Sequence, residues 1–192
     1  MARYGIVPER SQVWIQARSS LHPIHSTTEG LEGHIDLELD GEGRVEAAPR
    51  PQARLSLLVS RLSSGNRLED REMQKRIDAN RFPSIDGVLS QLEPTGGDGQ
   101  YRIVGDITFK GVTRSHNGEM TIKAVDDQRI RLAGSSRFDI REFGLEPPRI
   151  LMLRVEPEVD VRVEILAQKQ GEPPEVIRSG SADEAGEANS RA

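Results

Sequence analysis

The chain has 192 residues, with 26 Lys and Arg against 31 Asp and Glu, for a formal net charge of −5. That length suits one domain with a proper core, and the acidic balance speaks against nucleic acid as a partner. With no cysteine, the chain has neither a disulfide framework nor a Cys-ligated zinc or iron–sulfur centre.

The first ten residues, Met1 to Arg10, carry no apolar stretch behind their basic start, so no signal peptide is expected. No run approaches the ~20 apolar residues of a membrane span, and on these grounds the chain reads as a cytoplasmic protein with no transmembrane segment. Alternation begins at Val13, Ile15 and Ala17, which share one face of a strand. Trp14 is out of phase with them and is expected outside. His22-Pro23-Ile24-His25 is the most metal-like cluster. Its proline and the lack of a partner spacing favour a plain loop, so no metal site is expected. Ile35, Leu37 and Leu39 resume the period, and Gly41-Glu42-Gly43 supplies turn chemistry. Leu55, Leu57 and Val59 follow.

Asn66-Arg67-Leu68-Glu69 then breaks the period with the form of a capping box. Asp70 to Ala79 continues as a short helix with Met73 and Ile77, and Glu72 and Arg76, at i, i+4, and Pro83 ends it. Beyond the glycine-rich turn at Gly96 to Gly99, Ile103, Gly105, Ile107 and Phe109 alternate. Asn117-Gly118 is expected to turn the chain into Met120, Ile122 and Ala124, and Asp126-Asp127 into the run from Ile130 and Leu132 through Gly134 and Ser136 to Phe138 and Ile140. Arg137, Asp139 and Arg141 take the opposite phase and face solvent or pair across the sheet. Val159, Val161, Val163 and Ile165 close the pattern. From Gln168 the chain turns polar, and residues 168–192 are expected to form a disordered tail behind a domain spanning 1–167.

About eight alternating strands separated by turns predict an all-β sandwich or barrel with one short helix between strands. An eight-stranded barrel has an interior that either packs full of side chains or holds one ligand, and periodicity alone leaves both open. One Trp, two Tyr and four Phe make the interior mainly aliphatic, which suits a flexible chain better than a flat ring. No Gly-x-Ser-x-Gly elbow and no spaced carboxylate pair appears, so neither catalytic residues nor a cofactor are expected.

Three stretches resemble the YceI-like family. They are Leu62 to Ile85, with its polar helix start and the Phe82-Pro83 junction; Val104-Gly105-Asp106-Ile107-Thr108-Phe109-Lys110-Gly111-Val112-Thr113; and Phe138-Asp139-Ile140-Arg141-Glu142-Phe143-Gly144-Leu145. The resemblance covers roughly residues 4–166. Arg10-Ser11 stands where the family has His-Ser, and Arg71 where it has a His after the helix Asp. The resemblance implies an eight-stranded antiparallel lipocalin-like barrel that sequesters a long-chain, polyisoprenoid-like lipid without enzymatic activity; family members often pair as homodimers. The lipid-binding residues it implies are Val13, Ile15, Ile35, Leu37, Leu57, Val59, Ile103, Ile107, Phe109, Ile122, Leu132, Phe138, Val161 and Val163. The alternative is a ligand-free structural or protein-interaction barrel.

Overall fold

A computed structural model describes residues 1–147, 149–150 and 153–171. Its strands are β1 (Ala2–Ile6), β2 (Gln12–Ser19), β3 (Ile24–Glu29), β4 (Glu32–Leu37), β5 (Gln52–Leu58), β6 (Ser84–Pro94), β7 (Gln100–Phe109), β8 (Val112–Asp126), β9 (Arg129–Asp139), β10 (Arg149–Ile150) and β11 (Leu153–Lys169). Helix α1 (Arg67–Ile77) lies between β5 and β6. The sheet runs β1-β4-β5-β6-β7-β8-β9-β11-β2-β3, and an extra pairing of β1 with β11 closes it.

The count of eight comes from two broken strands. β1 and β2 pair in succession with one long β11: Tyr4 to Ile6 meet Lys169 to Ala167, and Gln12 to Ser19 meet Glu164 to Val155. β4 and β3 pair with β1 and β2 in the same order. Each broken strand counts once in the wall, which with β5 to β9 and β11 gives an eight-stranded antiparallel barrel. Ser11 bridges the first break: its buried hydroxyl donates to Val7 O at 2.9 Å and accepts from Leu166 N at 3.1 Å. At the second break the strands diverge, and β3 pairs with β2 alone. Its other edge faces the segment leading into α1, and the contact there is Ser26 Oγ donating to Ser63 O at 2.7 Å.

Closely approaching backbone fixes one residue beside that break. Gly33 has φ of 137°, and a Cβ there would lie 2.0 Å from Arg54 O on β5. Gly33→Ala therefore forces β4 and β5 apart as well as straining the backbone, and should cost at least about 2 kcal/mol. Urea denaturation of the two proteins measures it.

The helix follows its sequence. Asn66 Oδ1 accepts from Leu68 N at 3.0 Å, and Asn66 Nδ2 donates to Glu69 Oε1 at 3.1 Å. Arg76 Nε donates to Glu72 at 2.7 Å. The helix stops at Ile77, earlier than expected, because Asp78 takes the left-handed conformation, with φ of 59°; Pro83 only opens the next strand.

Two further expectations need correction. Asn117-Gly118 is no turn but lies inside the fifteen-residue β8. The β7–β8 turn is Lys110-Gly111, both with positive φ (51° and 75°), the conformation that matches strand twist in a two-residue hairpin. Val59 is not on a strand but in a 3₁₀ turn, Val59–Arg61. Elsewhere, β11 continues through Lys169, and the remainder of the polar tail, residues 172–192, lies outside the described residues.

One outward ion pair ties β1 to β4. Arg3 and Asp36 sit directly opposite, with Nε–Oδ1 of 2.7 Å and Nη2–Oδ2 of 2.8 Å. The two Arg3 hydrogen bonds hold the Asp36 carboxyl below its ordinary range, outweighing the upward push of its burial. A carboxylate depressed by folding stabilises the fold above its unfolded pKa, near 4, and loses that contribution as pH falls through the lower folded value. The melting temperature of Asp36→Asn should therefore sit below wild type at neutral pH and converge on it in acid. A constant gap between pH 7 and pH 2 would remove the pair from the acid response.

Candidate functional site

Alternation sets which side chains point inward, but the two ends of the barrel use them differently. The end carrying the β4–β5 connection and the β6–β7 turn is filled. Tyr4, Ile35, Leu37, Tyr101, Ile122, Ile130, Leu132, Ile165 and Ala167 are buried there in one cluster. A small hairpin with an isolated Leu39–Val45 bridge closes the floor, and Val45 N donates to Tyr101 Oη at 2.8 Å.

The other end is hollow. A cavity of about 370 Å³ is walled by Val13, Ile15 and Ala17 of β2, Leu55 and Leu57 of β5, Ile85 of β6, Ile107 and Phe109 of β7, Phe138 of β9, and Val159, Val161 and Val163 of β11. Its volume lies in the range of small-molecule sites, about 300–1,000 Å³. Met73 and Ile77 of α1 cover it, and Ile140, Phe143 and Leu145, from the turn after β9, cover it on the other side. Most of the polar lining residues engage partners, Asp86 accepting from Ser56 and Ser84, while Glu146 makes no hydrogen bond among the described residues. Ser26 reaches Ser63, Glu69 accepts from Asn66 Nδ2, and Arg76 pairs with Glu72. Burial pushes the Asp70 carboxyl up, but Ser64 N at 2.7 Å and the Ser63 and Ser64 hydroxyls at 2.8 and 2.9 Å together hold it below its usual range.

Eight of the residues expected to hold a ligand line this cavity: Val13, Ile15, Leu57, Ile107, Phe109, Phe138, Val161 and Val163. Six do not reach it. Ile35, Leu37, Ile122 and Leu132 belong to the packed floor, Val59 is buried in its 3₁₀ turn, and Ile103 lies farther down β7 against Gly118. The lid residues Met73, Ile77, Phe143 and Leu145 stand outside the strand alternation that marks the interior. The i, i+4 spacing of Met73 and Ile77 was visible in the sequence, but nothing local says what a helix face packs against.

The outward-facing side chains lie on other surfaces. Trp14 faces out beneath the Arg162 guanidinium, 5.2 Å from its ring centre. Arg137 pairs with Asp160 across the sheet at 2.7 Å. His22 sits in the β2–β3 turn, and His25 is exposed on β3. Among the described residues no three His, Asp or Glu side chains group to hold a metal, and no helix is long and apolar enough to cross a membrane.

One inward polar group is not accounted for by a hydrogen bond. His116 of β8 stands behind the aromatic wall, its ring 4.7 Å from Phe138 and 5.8 Å from Phe143. Its buried Nε2 has no hydrogen bond among the described residues, and the Glu142 carboxylate lies 3.5 Å away.

The YceI-like domain profile matches residues 4–167. The chain belongs to the YceI-like family. Solved structures with the same fold include Burkholderia cenocepacia BcnA, at 16% identity and a TM-score of 0.69 over 84% of this chain and 98% of that one. A polyisoprenoid-binding domain from Saccharophagus degradans, implicated in plant cell wall breakdown, aligns at 11% identity and a TM-score of 0.68 over 87% and 98%. The Campylobacter jejuni YceI protein aligns at 13% identity and 0.63 over 77% and 86%. At these identities the likeness is one of fold. No curated protein matches the chain. Within the YceI-like barrel, the hollow end is where this sequence departs from a filled core.

Proposed function

We propose that this YceI-like barrel is a non-enzymatic carrier that takes a long-chain, polyisoprenoid-like lipid into its hollow end. The observation that carries the reading is the cavity wall, built from aliphatic and Phe side chains contributed by strands around the barrel and covered by apolar lid residues. The strand-built part of that wall offers a polar substrate little to orient it, and it gives a hydrocarbon about 0.8 kcal/mol for each CH₂ taken from water. The polyisoprenoid-binding character of the Saccharophagus degradans domain supports the same ligand class.

Selection then rests on shape and length. A forty-carbon chain fully transferred from water would gain roughly 30 kcal/mol gross, beyond the practical ceiling near ~20, and ordering the chain offsets much of that. Lipid leaving a bilayer gains far less, since it is already dry. The packed floor sets how deep a chain goes. Native mass spectrometry of freshly purified protein, followed by organic extraction, tests the reading. One isoprenoid or acyl chain per barrel is expected. A clean unliganded mass that persists after incubation with such lipids would leave the barrel without this role.

A further inference from the structure

The cavity mouth is bordered by a helix whose outer face carries charge that folding does not explain. Arg67, Arg71 and Lys75 recur every four residues, so they fall within a sector of about 80° on α1. All three are exposed, and none makes an ion pair or side-chain hydrogen bond among the described residues. The helix's acids are turned elsewhere: Glu69 accepts from Asn66 Nδ2, Asp70 accepts from Ser63 and Ser64, and Glu72 pairs with Arg76. The result is an unopposed cationic stripe on a chain of net charge −5.

This arrangement works against the helix itself. Like charges at i, i+4 repel, and Arg67 in the first turn opposes the helix dipole. Beside the stripe Leu68 is 59% exposed, and at the same end of the barrel Leu21, in the β2–β3 turn, is 69% exposed. That turn belongs to the mouth because Ala17 and Ile24, on either side of it, both line the cavity. The opposite face of α1 presents Met73 and Ile77 to the cavity. Cations and isolated leucines thus share the outer side of the element that covers an apolar hole.

We propose that the outer face of α1, with Arg67, Arg71, Lys75 and Leu68, docks the barrel mouth on an anionic phospholipid surface. This rests on the lipid-carrier reading: a hydrocarbon passes from bilayer to cavity without crossing water only when the mouth meets the bilayer. The arginines and lysine meet lipid phosphates, and Leu68 and Leu21 enter the headgroup region. Glu142 and Glu146, on the far side of the mouth, tilt that side away from the surface. A nucleic acid fits less well, because it offers the two leucines nothing and the rest of the chain repels it.

Sedimentation of the full chain with vesicles tests this, using phosphatidylcholine alone or with about 30 mol % phosphatidylglycerol at about 0.1 M salt. Wild type should bind the anionic vesicles and not the neutral ones. Each lost cation is worth roughly a factor of five, so Arg67→Gln/Arg71→Gln/Lys75→Gln should weaken partitioning on the order of 100-fold. Arg102→Gln/Lys123→Gln/Arg131→Gln, on the outer wall towards the floor, should leave it unchanged. Circular dichroism and uptake of a polyene fatty acid delivered from ethanol should be the same for all three proteins, showing that fold and cavity are intact. Wild type that ignores anionic vesicles, a helix triple variant that binds as wild type does, or binding to single-stranded DNA in place of vesicles would overturn the proposal. Failure of fatty-acid uptake with vesicle binding retained would instead strike the carrier reading and leave the docking face standing.

Discussion

Val161→Trp should empty the protein of ligand without unfolding it. Val161 sits midway along β11, paired with Ile15 of β2 and Ser136 of β9, and its side chain enters the cavity. An indole at this position takes up void instead of displacing packed atoms. The usual cost of small-to-large exchange in a dense core, about 1–3 kcal/mol, should therefore be reduced or reversed. Bound chain recovered after extraction should fall by about tenfold or more, equivalent to at least ~1.4 kcal/mol of affinity, while the melting temperature holds or rises. An indole that leaves ligand content unchanged would place the ligand somewhere other than this cavity.

Leu37→Ala and Leu57→Ala should differ although both remove the same atoms from inward strand positions. Leu37 is fully buried in the floor. Its loss leaves a new hole among side chains that already touch, so the cost lies towards the upper part of the 2–5 kcal/mol range, about 4. Leu57 borders the existing cavity. Its removal mainly enlarges a void, with the transfer loss dominating, and should cost about 2 kcal/mol. For a domain of this size, with about 2–4 °C per kcal/mol, the floor variant should melt roughly 4–8 °C below the wall variant. Equal losses would mean that the two ends are packed alike and that the hollow half is not a property of the folded protein in solution.

This contrast between floor and mouth also marks what the sequence could disclose. A period of two tells which face of a strand a residue joins, and it put Val13, Ile15, Ile107 and Val161 inside. It carries no information about depth along the barrel axis. Ile35 and Ile122 therefore looked the same as Ile15 and Ile107, although one pair fills the floor and the other walls the cavity. Depth is decided by which strands lie opposite and how their ends are covered, and both depend on distant pairing. The broken strands were hidden for a related reason. β3 reads Ile-His-Ser-Thr-Thr-Glu, too polar for its alternation to stand out, although its exposure does alternate along the strand. The Asn117-Gly118 expectation failed because a strong local turn preference yielded to continuous pairing of β8 with β7. Lys110-Gly111 made the turn instead, with Gly111 close under the Phe82 ring, where a Cβ would meet Cε1 at 3.0 Å. The helix was legible because capping and i, i+4 pairs are local events: Asn66 caps it and Glu72 pairs with Arg76, although Glu69 meets the Asn66 side chain and not its backbone N–H.

The one-sided pairing of β3 bears on how the protein breathes. In a fully laddered barrel, an amide proton in the wall is released to solvent only when two strands part. Along β3 the alternate amides turned away from β2 have no strand to hold them, and the Ser26–Ser63 contact is the tie across that line. Deuterium should enter there early, while the amides of β9 and β11, paired over eleven consecutive positions, keep their protons until the whole barrel opens. Among the described residues β3 is thus a stretch of wall that yields without global unfolding, and it lies beside the hollow end.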